Sequence, residues 1–205
     1  MAHKDLTHSV RHLARDRHIG ALIKKHGAIT HRREHAKNPF KALARSIIYQ
    51  QLSGKAADTI CNRFIALFPS KRFPAPVDVL KIRIEKLQSA GLSGQKASYL
   101  KDLAQKCIDG TIDPRQFPRM SDAEVIEHVT AVKGIGEWTA HMFLMFTLAR
   151  PDILPTGDLG IQKAFKKLFG LKSLPKPRTM QRLAKEWSGH RTVACLYLWR
   201  LVDEP

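Results

Sequence analysis

Apolar residues return every three to four positions along almost the whole chain, and no stretch of convincing length alternates apolar with polar. That period places a stripe of side chains on one helical face, and striped helices bury it against one another. The chain is therefore expected to be all-α. The spacing predicts helices at roughly residues 7–14, 17–26, 39–50, 54–67, 83–89, 95–109, 121–130, 137–149, 159–169, 179–188 and 191–202. Turn signals separate them, among them Asn38-Pro39, Phe68-Pro69-Ser70, Phe73-Pro74-Ala75-Pro76, Gly91, Gly110, Pro151, Pro155 and Pro175. Ser53 reads as a helix start, and so does Ser121, whose capping box is completed by Glu124 at the third helical position. There is no repeat at solenoid spacing and no linker long enough to part independent domains. Residues 1–205 are expected to form a single all-α domain, with a cleft between two helical lobes and a partly mobile N-terminal stretch over residues 1–17.

Charge narrows the partner. The chain carries 35 Lys and Arg against 18 Asp and Glu, a formal net charge of +17 in 205 residues. Such a surface favours a polyphosphate, whose neutralisation releases counterions and gives affinity independent of sequence. From Leu159 to Lys185 the basic residues Lys163, Lys166, Lys167, Lys172, Lys176, Arg178, Arg182 and Lys185 meet no acidic one. Surfaces shaped only by solubility mix both signs. No apolar run approaches bilayer length and no signal-peptide pattern opens the chain, so no membrane partner is expected and an intracellular location is. Cys61, Cys107 and Cys195 are far apart, without zinc or iron–sulfur spacing, and read as small buried hydrophobes. Neither a metal nor an organic cofactor is expected.

Two short segments carry chemistry. In Val132-Lys133-Gly134-Ile135-Gly136-Glu137-Trp138-Thr139-Ala140, two glycines are spaced to turn the chain sharply between helices. Gly134 and Gly136 can adopt positive φ and leave the backbone uncovered, which suits a phosphate at the start of the second helix. Ile135 would plug inward, and Lys133 would add a phosphate contact. The other reading of such a turn is an ordinary helix–helix connection. In Leu154-Pro155-Thr156-Gly157-Asp158-Leu159-Gly160, Asp158 opens a helix. Position alone makes it an N-cap.

Taken together, the hairpin and the Asp158 segment resemble the helix–hairpin–helix DNA glycosylases, and the longer hairpin pattern resembles the alkylpurine (3-methyladenine) branch. The resemblance runs from about Phe40 to Trp199. It implies a two-lobed helical glycosylase fold with a DNA-binding cleft between the lobes, and a helix–hairpin–helix motif over 121–149. It places Asp158 on the family's catalytic aspartate, where a carboxylate would stabilise positive charge on the deoxyribose as the base departs. Trp138 stands where lyase-competent relatives carry a lysine nucleophile, which implies a monofunctional enzyme.

The resemblance also implies the rest of a site. Trp138, Trp199 and Tyr49 would wall a pocket for a flipped, cationic alkylated purine. Gln51 would probe the minor groove, and Ser53 would cap the next helix or touch DNA. The loop Gly91-Leu92-Ser93-Gly94-Gln95-Lys96 resembles one that carries an intercalating wedge, but Gly94 occupies the wedge position, leaving Leu92 or Gln95 as substitutes. Lys163 joins the DNA contacts, and Trp187 reads as core. Hairpin carbonyls could hold a monovalent cation. Met142 stands where an aromatic pocket residue is expected. The implied partner is double-stranded DNA with alkylated bases or abasic sites, bound by a monomer located in the nucleus of a eukaryote, or otherwise in the cytoplasm or nucleoid. Two alternatives stay open: a paralogue that grips damaged or abasic DNA with little or no excision, and a structural DNA-binding module in which Asp158 only caps a helix.

Overall fold

The computed structural model describes residues 6–30, 38–70 and 72–203, and within them the regular structure is helical, with no strand. The first five residues of the N-terminal stretch expected to be mobile lie outside the described residues. The helices sort into two compact units, one built from the two ends of the chain and one from its middle, with the boundary after Phe143.

The middle unit holds α3 (Pro39–Tyr49), α4 (Gly54–Ala66), α5 (Pro76–Lys81), α6 (Ile84–Ser89), α7 (Gly94–Ile108), α8 (Asp122–Thr130) and α9 (Glu137–Met142). The axis of this unit is α7, against which α3, α5 and α6 pack. Its core is mainly aliphatic, and Leu43, Ile47, Ile48, Leu87 and Leu100 are fully buried together with the rings of Phe64 and Phe117. The Lys101 ammonium donates to the carbonyl of Leu80 at 2.6 Å and to that of Ile82, which satisfies the end of α5 from the side of α7. Burial holds the pKa of Lys101 below its ordinary value.

The terminal unit holds α1 (Thr7–Leu13), α2 (Arg17–His26), α10 (Leu159–Leu168), α11 (Pro177–Leu183) and α12 (Arg191–Asp203). Its centre is α12, buried along Val193, Ala194, Cys195, Tyr197 and Leu198 and packed by α1, α2 and α10. A helix apolar on most sides belongs inside. Asp16 caps α2 by accepting from the N–H groups of His18 and Ile19 at 2.9 and 2.7 Å. Trp187 is fully buried beside the rings of Phe165 and Phe169, as its sequence setting predicts.

Three departures from the predicted elements have physical reasons. Residues 73–76 read as a turn, yet Pro76 is the first residue of α5, where its missing N–H costs nothing, and Asp78 accepts from Ala75 N–H at 3.0 Å. The helix expected over 137–149 is α9 followed by a π-helical segment, Phe143–Thr147. There the chain closes when Ala149 takes φ +55° and Arg150 N–H donates to Leu144 O at 2.9 Å. The helix expected over 179–188 is α11 followed by a 3-10 turn, Lys185–Trp187. Elsewhere the predicted boundaries differ by about one residue, the ordinary uncertainty of helix ends.

Candidate active site and nucleic-acid interface

The hairpin starts from a well-fixed helix. Ser121 accepts from Glu124 N–H at 3.3 Å, and the Glu124 carboxylate accepts from Ser121 N–H at 2.7 Å, so the predicted capping box is present. After α8 the chain turns on Val132 and Ile135, which are 1% and 4% exposed and plug inward as expected of Ile135. Gly134 has φ +80°, and a Cβ there would lie 2.1 Å from the ring of Tyr99 on α7. Glycine is therefore required twice, for its dihedral and for the space the ring fills. Gly136 does not use that freedom: its φ of −97° and ψ of 174° are extended backbone open to any residue. Its value is access, since a Cβ there would meet nothing within 4 Å.

Three residues outside the hairpin hold it. Lys133, whose side chain is exposed, donates its backbone N–H to Asp102 Oδ2 at 2.8 Å, while Asp102 Oδ1 accepts from the Lys106 ammonium at 2.8 Å. Burial alone would push the Asp102 carboxyl up, but the hydrogen bonds from Lys106 and Lys133 and the two lysine charges outweigh it and hold it below the usual range. Gln50 Nε2 donates to Gly134 O at 2.7 Å, and Tyr99 completes the support. Of the hairpin carbonyls, those of Val132 and Gly134 each already accept one hydrogen bond.

Next to the hairpin lies a cavity of about 710 Å3 within the middle unit. Of the predicted site residues, Tyr49, Gln51, Gln95, Gly134, Gly136 and Trp138 line it, and so does Met142. Trp138, in the first turn of α9, is 51% exposed and offers much of its indole. Tyr49 is a fixed wall. Its hydroxyl accepts from Arg45 and donates to Asp58, and the guanidinium sits 4.4 Å from its ring centroid. Burial and the bond to Asp58 push the tyrosine up to about 12. Lys96 donates to the carbonyls of Ile48 and Gln50 at 2.8 and 2.7 Å, closing the end of α3. Burial lowers its pKa.

The loop after α3 puts Gln51 at φ +55°, exposed, with Leu52 beside it at 38% exposure. A left-handed residue other than glycine is a strained, over-determined position. Ser53 stands at the N-cap of α4 without a side-chain cap bond, so the capping alternative for its hydroxyl is not realised. Leu92, contrary to expectation, is 4% exposed and part of the core, so it is not available as a wedge. Gly94 is the first residue of α7, capped by Ser93, and Gln95 is exposed.

Asp158 belongs to the terminal unit and is indeed the N-cap of α10. Its Oδ1 accepts from Ile161 N–H at 2.8 Å and from the indole Nε1 of Trp199 at 3.0 Å. Gln162 Nε2 donates to Thr156 O at 2.8 Å and steadies the turn ahead of it. Gly160 permits the arrangement: a Cβ there would come within 3.1 Å of Asp158 Oδ1 and 3.2 Å of Trp199 Cδ1. Trp199 is half-buried and stacks on Phe146 of the π-helical segment, with centroids 6.1 Å apart. All eight basic residues of the run 163–185, Lys163 among them, are exposed. Lys167 also donates to Leu201 O at 3.0 Å, at the end of α12.

Sequence reasoning missed Gln50, Lys96, Tyr99 and Asp102. Each acts on a segment remote in the chain, and only the adjacent polar pair Gln50-Gln51 offered a local signal. Cys61 and Cys195 are buried as expected, whereas Cys107 is only partly so.

The family model described as HhH-GPD superfamily base excision DNA repair protein matches residues 44–189. DNA-3-methyladenine glycosylase 1 of Schizosaccharomyces pombe is 35% identical over 165 residues, 80% of this chain and 72% of that one. The alkylbase DNA glycosidase-like protein mag2 of the same yeast is 31% identical over 202 residues, 96% of this chain and 94% of its own. The solved structure of the Schizosaccharomyces pombe 3-methyladenine DNA glycosylase Mag1 in complex with abasic DNA superposes with a TM-score of 0.84 at 32% identity, covering 96% of this chain and 97% of that one.

Proposed function

We propose that this chain, which belongs to the HhH-GPD superfamily of base excision DNA repair proteins, is a monofunctional DNA glycosylase that releases alkylated purines such as 3-methyladenine and 7-methylguanine from duplex DNA. The observation that carries the reading is the Asp158 carboxylate, held at the head of α10 by Ile161 N–H and Trp199 Nε1. Hydrolysis breaks the bond between C1′ and the purine nitrogen. The bonding pair leaves with the base, and the sugar becomes oxocarbenium-like. A fixed carboxylate stabilises that charge, orients the water that adds to C1′ and takes the proton that water releases. Alkylation makes the purine cationic and a ready leaving group, so strong general-acid help is not required.

Chemistry on a base requires its removal from the stack. Trp138 and Tyr49 give the cavity of the middle unit two aromatic surfaces, and an indole face attracts a cationic purine. Gln51 and Leu52, exposed on the loop after α3, are presented to the duplex, with Gln95 beside the same cavity. The hairpin backbone around Gly134 and Gly136, with Lys133, binds phosphate, and Lys163 and its neighbours add sequence-independent affinity. Trp138 supplies no amine for a Schiff base, so strand cleavage is not part of the activity. The protein acts as a monomer without an organic cofactor, wherever the cell keeps its DNA.

The test is incubation with methylated duplex DNA and quantitation of released bases, with Asp158→Asn alongside. Release by wild type alone supports the reading, and equal release by the variant overturns it. A second reading, a paralogue that holds abasic DNA without excision, is favoured by Met142 on the cavity in place of an aromatic. Tight abasic binding without base release selects it.

A further inference from the structure

We infer that Trp199 is a positioning residue for the Asp158 carboxylate, acting through its indole N–H rather than as a stacking wall for the base. The inference rests on the reading of Asp158 as the catalytic carboxylate and adds a role for a second residue.

Four observations in the terminal unit converge on it. The indole N–H is committed: Trp199 Nε1 donates to Asp158 Oδ1 at 3.0 Å. The same oxygen takes Ile161 N–H at 2.8 Å, so a main-chain donor and a side-chain donor meet on Oδ1. One face of the indole is engaged, since Phe146 stacks on it at 6.1 Å between centroids with planes 29° apart. Phe146 lies in the π-helical segment Phe143–Thr147, a departure from regular helix of the kind found at functional sites. Finally, Gly160 leaves no spare room, because a Cβ there would meet both Asp158 Oδ1 and Trp199. Ring, carboxylate and glycine form one packed unit.

An N-cap alone leaves a carboxylate with rotational freedom about its side chain. A second donor from another helix restricts it, and a charge-assisted bond of this kind is among the stronger ones. Preorganised groups raise the rate without changing how tightly the ground state is held. The effect therefore belongs in the chemical step.

The experiment measures single-turnover base release from methylated duplex and affinity for an abasic duplex, for wild type, Trp199→Phe, Trp199→His, Gly160→Ala and Asp158→Asn, with thermal melts as the folding check. Phenylalanine keeps an aromatic face without a donor. Histidine gives up ring area but can place Nε2 where the indole nitrogen stood. We expect Trp199→Phe to lose about tenfold in rate with abasic affinity unchanged, and Trp199→His to recover part of that loss. Gly160→Ala keeps the donor but crowds the pair, and it too loses rate with little change in affinity. A stacking wall gives the opposite order, with phenylalanine more active than histidine, and that order overturns the inference. Unchanged rates in folded Trp199→Phe and Gly160→Ala also overturn it. Should Trp199→Phe fail to fold, Trp199→Tyr, which also keeps an aromatic face without the indole N–H, decides: an unchanged rate there overturns the inference. Asp158→Asn separates the two levels: full activity there sinks the catalytic reading itself, whereas an inactive Asp158→Asn beside an unimpaired Trp199→Phe sinks only the role of Trp199.

Discussion

The hairpin and the Asp158 turn both fix a small polar feature on a helical scaffold, and they do it by different means. The hairpin is held from afar: Asp102 reaches Lys133 across 31 residues of sequence, and Gln50 reaches Gly134 across 84. Asp158 is held mainly by its own neighbourhood, by the N–H of Ile161 three residues on and a turn closed to Pro155 O, with Trp199 as its distant partner. The difference teaches where each is vulnerable. The hairpin depends on residues of α7 and of the loop after α3, two of which, Gln50 and Tyr99, also line the cavity. The Asp158 turn depends on a handful of adjacent residues and one ring.

The largest effect expected from this contrast is at Gly134. Gly134→Ala drives a Cβ into the Tyr99 ring at a φ of +80°, costing on the order of 3 kcal/mol and lowering DNA affinity at least tenfold. Denaturant unfolding and fluorescence-anisotropy titration measure both, and unchanged affinity would show that the brace is dispensable. Next comes Asp102→Ala, which strands Lys133 N–H and Lys106 and costs about 2 kcal/mol.

Asp102 also fixes a pH dependence. Its carboxyl is more acidic folded than unfolded, so the unfolded chain binds more protons at low pH and stability rises with pH. That contribution is complete near neutrality and is lost as pH falls from about 5 through the lowered folded value. Asp102→Asn is expected to flatten this acid limb of the melting curve, and an unchanged limb would remove Asp102 as its source.

On the other side of the comparison, Asp158→Ala removes a cap and the acceptor of the Trp199 N–H and is expected to cost about 1.5 kcal/mol while eliminating base release. A larger loss of stability than in Asp102→Ala would reverse the contrast drawn above. The smallest effect belongs to Ser53→Ala. Because the Ser53 hydroxyl makes no cap bond, stability should move by less than about 0.5 kcal/mol, against about 1 for Ser93→Ala, whose hydroxyl does cap.

What the sequence disclosed follows the same division between near and far. The helical class, the Ser121–Glu124 box, the Ile135 plug and the Asp158 cap were legible because each signal lies within a few residues of its effect. The start of α5 was hidden because Pro76 serves equally as a breaker and as a first helical residue, and the choice is made by packing on α7. Leu92 looked like a surface wedge because nothing local reveals that the core needs it. Trp199 was legible as an important ring but not as a donor, since its acceptor lies 41 residues away. Asp102 and Tyr99 gave no local sign at all. Their chemistry exists only once α7 lies against the hairpin.

The three tryptophans have a spectroscopic consequence. Trp187 is sealed among phenylalanine rings, Trp138 is half in water beside the cavity, and Trp199 is tied to a carboxylate. An indole in an apolar enclosure emits to the blue, and one in water emits to the red. The red edge of the native emission therefore belongs mainly to Trp138 and reports what arrives at the hairpin. The blue edge belongs to Trp187 and reports whether the terminal unit is intact. Binding and unfolding can thus be followed by wavelength in a single unlabelled sample.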